Sequence, residues 1–189
     1  RLAGQGEHPL LPGPPGLRGH LVRQEGRGGA RTAGEGKDVG RMVGSKLLSG
    51  YPDFFGKWRL GKDCFLTIRL PNPAIEHSMR KTLVETLESI PSSWDVAQEF
   101  YGNVDVAPIH EVILPFTTSA EELNNIYYYY TKYVVGKQDQ FIYGDSRVSD
   151  WIGEVNPTKI SVIPLIEDLD NLLAADTIAE EYLEGKEVP

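Results

Sequence analysis

From about residue 42 onward, short apolar runs alternate with stretches of helical spacing. Three runs of 4 to 8 residues rich in β-branched side chains predict buried strands at positions 64–70, 111–115 and 160–166. A first short helix is predicted from Met42 to Leu48, ending near Gly50 with Pro52 just beyond it. The chain is therefore expected to fold as a globular unit from this point.

Each predicted strand is followed by a predicted helix. These helices cover positions 74–89, about 120–135 and 171–183, with a second short helix at 93–100; Pro91, Gly136 and Gly185 are expected to end the helices that precede them. Ser119 and Glu122 form an S-x-x-E capping box at the start of the second helix. The four consecutive tyrosines at 127–130 cannot all share one helical face, so some of them must be exposed or covered by another element.

Three strand–loop–helix units in succession predict an α/β fold with a parallel sheet and right-handed crossovers. The chain has 189 residues, fewer than the about 250 of a complete (β/α)₈ barrel. In parallel folds, binding and catalytic residues lie at the carboxyl ends of the strands. The polar residues at these ends are Arg69, Thr117, Thr118 and Glu167.

These four residues can be interpreted in two ways. A guanidinium, two hydroxyls and a carboxylate on neighbouring strand ends can bind an anion together with a divalent metal. Alternatively, Arg69 is an ion-pair partner, the threonines are helix caps, and Glu167 is a first-turn acid that complements the helix dipole. The pattern alone leaves both interpretations open.

The composition changes sharply near residue 45. The first 44 residues hold 12 of the 20 glycines and none of the aromatic residues, and they carry a net charge of about +3 against about −11 for the remainder. Such a segment buries too little apolar surface to offset the entropy of ordering it. We therefore divide the chain into residues 1–37, which are disordered or never encoded a folded segment, and a folded domain at 38–189.

The formal net charge of −8 argues against a protein that binds nucleic acid or an anionic membrane, because both need surplus Lys and Arg. No apolar run is long enough to span a bilayer, and no secretory signal is recognisable. The single cysteine, Cys64, cannot form an internal disulfide and opens a buried strand. These features predict a cytoplasmic protein.

Motifs for common cofactors are missing from the sequence. It contains no G-x-G-x-x-G, no P-loop, no C-x-x-C and no H-E-x-x-H. The histidines, His8, His20, His77 and His110, are expected to be surface or packing residues.

Six collinear blocks carry a more specific signal. They are LTIRLPNP at 66–73, LVETLESIP at 83–91, FYG at 100–102, EVILPFTTS at 111–119, WIGE at 151–154 and VIPLIEDL at 162–169. At these blocks the sequence resembles the archaeal-type phosphoenolpyruvate carboxylases, over about residues 36–189. The resemblance implies that the chain is part of a TIM barrel, a partial (β/α)₈ barrel of parallel strand–loop–helix units.

The resemblance also implies an activity, the formation of oxaloacetate and phosphate from phosphoenolpyruvate and bicarbonate with Mg²⁺ or Mn²⁺. In the family's mechanism, the phosphoryl group passes to bicarbonate, and the resulting CO₂ is captured by the pyruvate enolate. By motif position, Glu167 resembles the metal-ligand carboxylate, and Arg69 resembles a catalytic arginine that contacts the substrate phosphate. Thr117 and Thr118 are expected to line the same substrate-binding face. The full-length enzymes of the family suggest a homotetramer.

The sequence departs from the family pattern in informative places. Ile166 stands where the family motif PLFED has an aromatic residue, an apolar exchange that should leave the direction of Glu167 intact. A Trp-Asp pair before Glu35-Gly36-Lys37 and a histidine motif further upstream are missing, and the sequence stops before the second metal-ligand aspartate. We therefore expect an incomplete and inactive segment of the enzyme. The alternatives are another phosphoenolpyruvate/pyruvate-binding barrel enzyme, such as a citrate-lyase-like aldolase, or a non-catalytic scaffold remnant.

Overall fold

The computed structural model describes residues 22–23, 30–34, 43–102 and 105–186. A five-stranded sheet has the order β1-β2-β3-β4-β7, and a separate hairpin pairs β5 with β6. The strands are β1 Val22–Arg23, β2 Ala30–Gly34, β3 Cys64–Arg69, β4 Glu111–Pro115, β5 Phe141–Tyr143, β6 Ser146–Arg147 and β7 Ser161–Leu165. The pairs β2–β3, β3–β4 and β4–β7 are parallel, and β1 is antiparallel to β2. The predicted parallel α/β sheet of three strands with helices is confirmed.

Helices connect the parallel strands. They are α1 Val43–Gly50, α2 Pro52–Lys57, α3 Arg80–Tyr101, α4 Ala120–Tyr128, α5 Val148–Ile152, α6 Leu169–Leu173 and α7 Ala175–Leu183. A 3₁₀ turn at His77–Met79 precedes α3. Within the described residues, no helix is both long and apolar enough to cross a bilayer.

The prediction of two helices separated at Pro91 was wrong, because α3 runs through Pro91 without a break. Proline removes one helical hydrogen bond, so tertiary packing must hold this helix together. Its buried face includes Leu87 and Ile90. Near Pro91, α3 also packs closely on α1, where a Cβ added to Gly44 would lie 3.5 Å from the Cβ of Ser93.

The predicted ends of two other helices also differ from the structure. Regular α4 ends at Tyr128 and continues as a π-helical turn at Tyr129–Val134 and a 3₁₀ turn at Val135–Asp139, so Gly136 does not stop it. The helix predicted over 171–183 is two helices, α6 and α7, that meet at Ala174. The expected division of the tyrosines is confirmed, since Tyr130 is fully buried and Tyr128 is 40% exposed.

Two strands lie in the amino-terminal part, where the sequence predicts no stable structure. Ala30–Gly34 pairs in parallel register with the residues from Cys64 to Ile68 of β3. The remainder of residues 1–37, like His8 and His20, lies outside the described residues. The division of the chain at residue 38 therefore stays a prediction.

The sheet has two different faces. Leu66, Ile68, Val112, Leu114 and Val162 are buried in the hydrophobic core that the sheet forms with the helices. On the other face, the hydroxyl of buried Thr67 donates a 2.5 Å hydrogen bond to Oε1 of buried Glu111. This alternation follows the two-residue period of a strand. Arg69, two residues after Thr67, therefore lies on the face opposite the core.

Candidate functional site at the carboxyl ends of the strands

The carboxyl ends of β3, β4 and β7 lie side by side. The N–H of Leu70, just after β3, donates a 2.8 Å hydrogen bond to the carbonyl of Ile113 on β4. The N–H of Thr117, just after β4, donates a 3.1 Å hydrogen bond to the carbonyl of Leu165 on β7. The loops that carry the four predicted site residues therefore leave the sheet at one edge.

Arg69 ends β3, and its guanidinium Nη1 lies 3.7 Å from Oε2 of Glu76. Both side chains are 30% exposed, so the pair is reachable from solvent. Arginine has five N–H donors, and this contact occupies only part of them. The geometry is compatible with the ion-pair interpretation of Arg69 and with a guanidinium that also binds an anion.

Glu167 lies two residues after β7, and its side chain is exposed. Its Oε2 accepts a 3.2 Å hydrogen bond from the N–H of Phe116, the first residue after β4. Phe116 has φ 53°, a left-handed conformation that costs a non-glycine residue on the order of 1 kcal/mol or more. The turn after β4 therefore aims a peptide N–H at the Glu167 carboxylate.

The two threonines have different environments. Thr117 is fully buried, and its hydroxyl donates a 2.7 Å hydrogen bond to the carbonyl of Leu114. Thr118 is exposed, and its N–H donates a 2.7 Å hydrogen bond to Oε2 of Glu122. The same carboxylate completes the predicted capping box with Ser119, which is confirmed. Thr117 thus has a structural role at the end of β4, and its predicted contact with substrate stays a prediction.

Sequence reasoning missed Asn72, which is fully buried between the ends of β3 and β4. Its Nδ2 donates to the carbonyls of Pro115 at 3.0 Å and of Phe116 at 3.4 Å. Its Oδ1 accepts from the N–H of Ala74 at 2.9 Å. The available signal was an asparagine enclosed by Pro71 and Pro73, since asparagine stabilises turns through such bonds to its own backbone.

Next to Glu167, Asp168 is exposed and caps α6. Its Oδ1 accepts a 2.9 Å hydrogen bond from the N–H of Asn171, and its Oδ2 accepts one of 2.7 Å from the Asn171 side chain. These two bonds lower the pKa of the Asp168 carboxyl, the side-chain bond most strongly. Ile166, in place of the family's aromatic residue, packs against the core. The two acidic residues therefore have different hydrogen-bond partners. Asp168 bonds to its own helix, α6, and Glu167 bonds to the residue that follows β4.

The described residues supply only part of a metal site. Among them, no three His, Cys, Asp or Glu side chains are close enough to hold a metal ion together. Mg²⁺, however, usually keeps several water ligands and takes one or two carboxylates together with substrate oxygens. Glu167 fits the role of one such carboxylate.

Comparison with known proteins decides the family. A family model described as phosphoenolpyruvate carboxylase matches residues 32–189, a stretch that contains all four predicted site residues. The chain belongs to the phosphoenolpyruvate carboxylase family. The resemblance that the six sequence blocks indicate is thereby confirmed, and it is a family of carboxy-lyase enzymes.

Several archaeal relatives carry the name phosphoenolpyruvate carboxylase. The protein from Methanospirillum hungatei is 52% identical over 155 residues, which is 82% of this chain and 32% of that relative. The proteins from Methanothermobacter thermautotrophicus and Halobacterium salinarum are 49% and 47% identical, over 82% and 78% of this chain and 32% and 31% of their own lengths. The chain thus spans about a third of these relatives.

Proposed function

We propose that this chain forms part of the substrate and metal site of a phosphoenolpyruvate carboxylase. The observation that carries the proposal is that the family match contains three parallel strands whose carboxyl ends bring Arg69, Thr118 and Glu167 to one edge of the sheet. Phosphoenolpyruvate and bicarbonate are the substrates, and oxaloacetate and phosphate are the products. The family match favours this reaction over that of a citrate-lyase-like aldolase.

Arg69 is proposed to bind the phosphoryl group of phosphoenolpyruvate. A guanidinium matches the geometry of phosphate oxygens and is always charged. Glu76, 3.7 Å away, orients the guanidinium and leaves other N–H donors for the phosphate. Positive charge held in a fixed position stabilises the charge that develops as the phosphoryl group is transferred, without reorganisation during the reaction.

Glu167 is proposed to be one ligand of a divalent metal, Mg²⁺ or Mn²⁺. A metal bound here supplies positive charge that offsets the charge of the enolate and phosphate oxygens. The N–H of Phe116 holds one carboxylate oxygen and leaves the other for the metal. Thr118 is proposed to line the substrate side of the same edge, and Thr117 is proposed to support it from the interior.

A chimaeric enzyme tests this proposal. Residues 32–189 of this chain replace the matching segment of the Methanospirillum hungatei relative, and oxaloacetate is measured through its reduction by malate dehydrogenase. We expect the chimaera to form oxaloacetate. Arg69→Gln should raise KM for phosphoenolpyruvate, and Glu167→Gln should abolish the metal-dependent rate.

The control is Arg147→Gln, since Arg147 lies on the exposed hairpin beside the ring of Phe141 and should not affect the rate. A folded but inactive chimaera, or a Glu167→Gln variant as active as its parent, would contradict the proposal. The isolated 189-residue chain is expected to form no oxaloacetate. Activity of that chain above its own Glu167→Gln variant would contradict this expectation.

The larger architecture is also a proposal. Three parallel strand–helix units, and a chain that spans about a third of its relatives, support a partial (β/α)₈ barrel within a longer family member. The exposed side chain of Leu165 on β7, 42% accessible, supports the expectation that the opposite sheet face is covered in a complete barrel. A homotetramer of the full-length enzyme stays a prediction, to be tested by the mass of the chimaera in solution.

A further inference from the structure

Asn72 uses its hydrogen-bonding groups on the protein itself. Besides the bonds of its side chain, its N–H donates to Oε2 of Glu76 at 3.0 Å, and its carbonyl accepts from the N–H groups of Ile75 and Glu76. The residue is fully buried. It therefore has no group left to offer to a substrate, and any functional role must act through its neighbours.

Those neighbours belong to both halves of the candidate site. Glu76, which Asn72 holds by its N–H, is the carboxylate beside Arg69. Phe116, whose carbonyl accepts from Nδ2, is the residue whose N–H donates to Glu167. A single buried residue thus contacts the partner of the predicted phosphate ligand through its backbone N–H and the partner of the predicted metal ligand through its side-chain amide.

The turn at Phe116 needs such support. Its left-handed backbone, with φ 53°, is unfavourable for an aromatic residue, and such conformations persist only where the surroundings fix them. The two bonds from Nδ2 of Asn72, to Pro115 and Phe116, hold the carbonyls on either side of the Phe116 N–H. Without these two hydrogen bonds, the turn can relax, and the N–H of Phe116 no longer points at the Glu167 carboxylate.

We propose that Asn72 is a positioning residue that fixes the Glu167 carboxylate through the peptide of Phe116. The inference rests on the proposed function for its catalytic meaning, because Glu167 is the proposed metal ligand. The hydrogen-bonded link from Asn72 through Phe116 to Glu167 depends only on these three residues. It can therefore be measured without activity.

The test is a pH titration of the ¹⁵N-labelled 189-residue chain followed by NMR. An amide that donates to a carboxylate changes its chemical shift when that carboxylate is protonated. In the unmodified chain, the amides of Phe116 and Thr118 should each show such a step, from Glu167 and Glu122 respectively. Glu167→Gln should remove the step at Phe116 and keep the one at Thr118, and Glu122→Gln should do the reverse.

The decisive variant is Asn72→Ser, which keeps a small acceptor for the N–H of Ala74 and loses both donors of Nδ2. We expect it to lose the step at Phe116 and to keep the step at Thr118, which a general loosening of the fold would not do. If this variant does not fold, Asn72→Ala takes its place with the same expectation, since it also loses both donors of Nδ2 and adds no titrating group. A step of unchanged size at Phe116 in either folded variant, or no step there in the unmodified chain, overturns the inference.

The chimaeric enzyme separates this inference from the proposed function, because the described residues of the isolated chain supply only part of a metal site. A step at Phe116 that Asn72→Ser removes, beside a Glu167→Gln chimaera as active as its parent, supports the role of Asn72 and contradicts the metal role of Glu167. A Glu167→Gln chimaera that has lost the metal-dependent rate, beside a step that Asn72→Ser leaves unchanged, supports the proposed function and overturns the role of Asn72.

Discussion

The hydroxyl of Tyr182 on α7 accepts a 3.0 Å hydrogen bond from the N–H of Val162 on β7. The next N–H toward the amino terminus, that of Ser161, donates to His110 on the β4 side. Since successive N–H groups of a strand point in opposite directions, the Val162 N–H lies on the side away from β4. A helix side chain thus satisfies a backbone donor on the outer side of β7.

Tyr182→Phe removes this acceptor while keeping the ring. Because Val162 and Tyr182 are both buried, the N–H is left without a partner, and we expect the free energy of unfolding to fall by about 1–3 kcal/mol. Urea denaturation measures the change. Tyr143→Phe is the matched control, since Tyr143 is 88% exposed; equal stability of the two variants would contradict the prediction.

Ser119→Ala removes half of the capping box at the start of α4. The Ser119 hydroxyl accepts from the N–H of Glu122, and loss of such a cap costs about 1 kcal/mol. Glu122→Gln should retain most of the stability, because an amide oxygen can still accept from the N–H groups of Thr118 and Ser119. Thermal unfolding followed by circular dichroism compares the variants, and a Ser119→Ala chain as stable as the parent would disagree with this role.

Gly61→Ala should be the more damaging of two glycine substitutions. Gly61 has φ 96°, and a Cβ there would lie 2.8 Å from the carbonyl carbon and oxygen of Ala107. Gly102→Ala has a similar backbone strain, with φ 76°, but no atom within 4 Å of the added Cβ. We expect Gly102→Ala to cost about 1–2 kcal/mol and Gly61→Ala to cost more, as measured by urea denaturation. A larger loss of stability for Gly102→Ala than for Gly61→Ala would contradict this prediction, because it would show that the loop at Ala107 moves freely away from the added Cβ.

Cys64 should be unreactive in the folded chain. Burial, and secondarily the negative charge of Asp63, raises the pKa of its thiol to about 11, and the thiolate is the reactive form. With the aromatic disulfide reagent DTNB at mildly alkaline pH, the native chain should react slowly and the chain in guanidinium fast. As the sequence contains one cysteine, the absorbance reports this site alone, and equal rates in the two states would exclude the buried placement.

Alkaline conditions should destabilise the fold through Tyr130. Burial raises the pKa of this phenol well above its usual value, so the folded chain keeps a proton that the unfolded chain releases. The stability contributed by the neutral phenol is present below about pH 10 and declines as the pH rises further. Urea denaturation at increasing pH measures the decline, and Tyr130→Phe should make it shallower; an unchanged slope would contradict the assignment.

Local patterns predicted the parallel strands and the capping box well. The strand at Glu111–Pro115 and the Ser119 cap depend on residues adjacent in sequence, where β-branched runs and the S-x-x-E spacing suffice. The path of α3 through Pro91 could not be predicted in this way, because the buried face of α3 and its packing on α1 at Gly44 are tertiary contacts that residues adjacent in sequence do not reveal.

The same limit applies to the candidate site. Arg69 and Glu167 were predicted because they end strands, a position that a single chain segment reveals. Asn72 was missed because its partners, Pro115 and Phe116, lie beyond α3 in the sequence. Only the parallel pairing of β3 with β4 brings them together.

The parallel order of the sheet also has a kinetic consequence. β3, β4 and β7 are each separated from their partner by at least one helix, so none of these pairs can form as a local hairpin. Contacts between distant segments slow folding, because a long loop must close before they form. During synthesis, the edge of β4 that pairs with β7 therefore stays unpaired until β7 has been made. We expect the nascent chain at this stage to be the species most prone to aggregate.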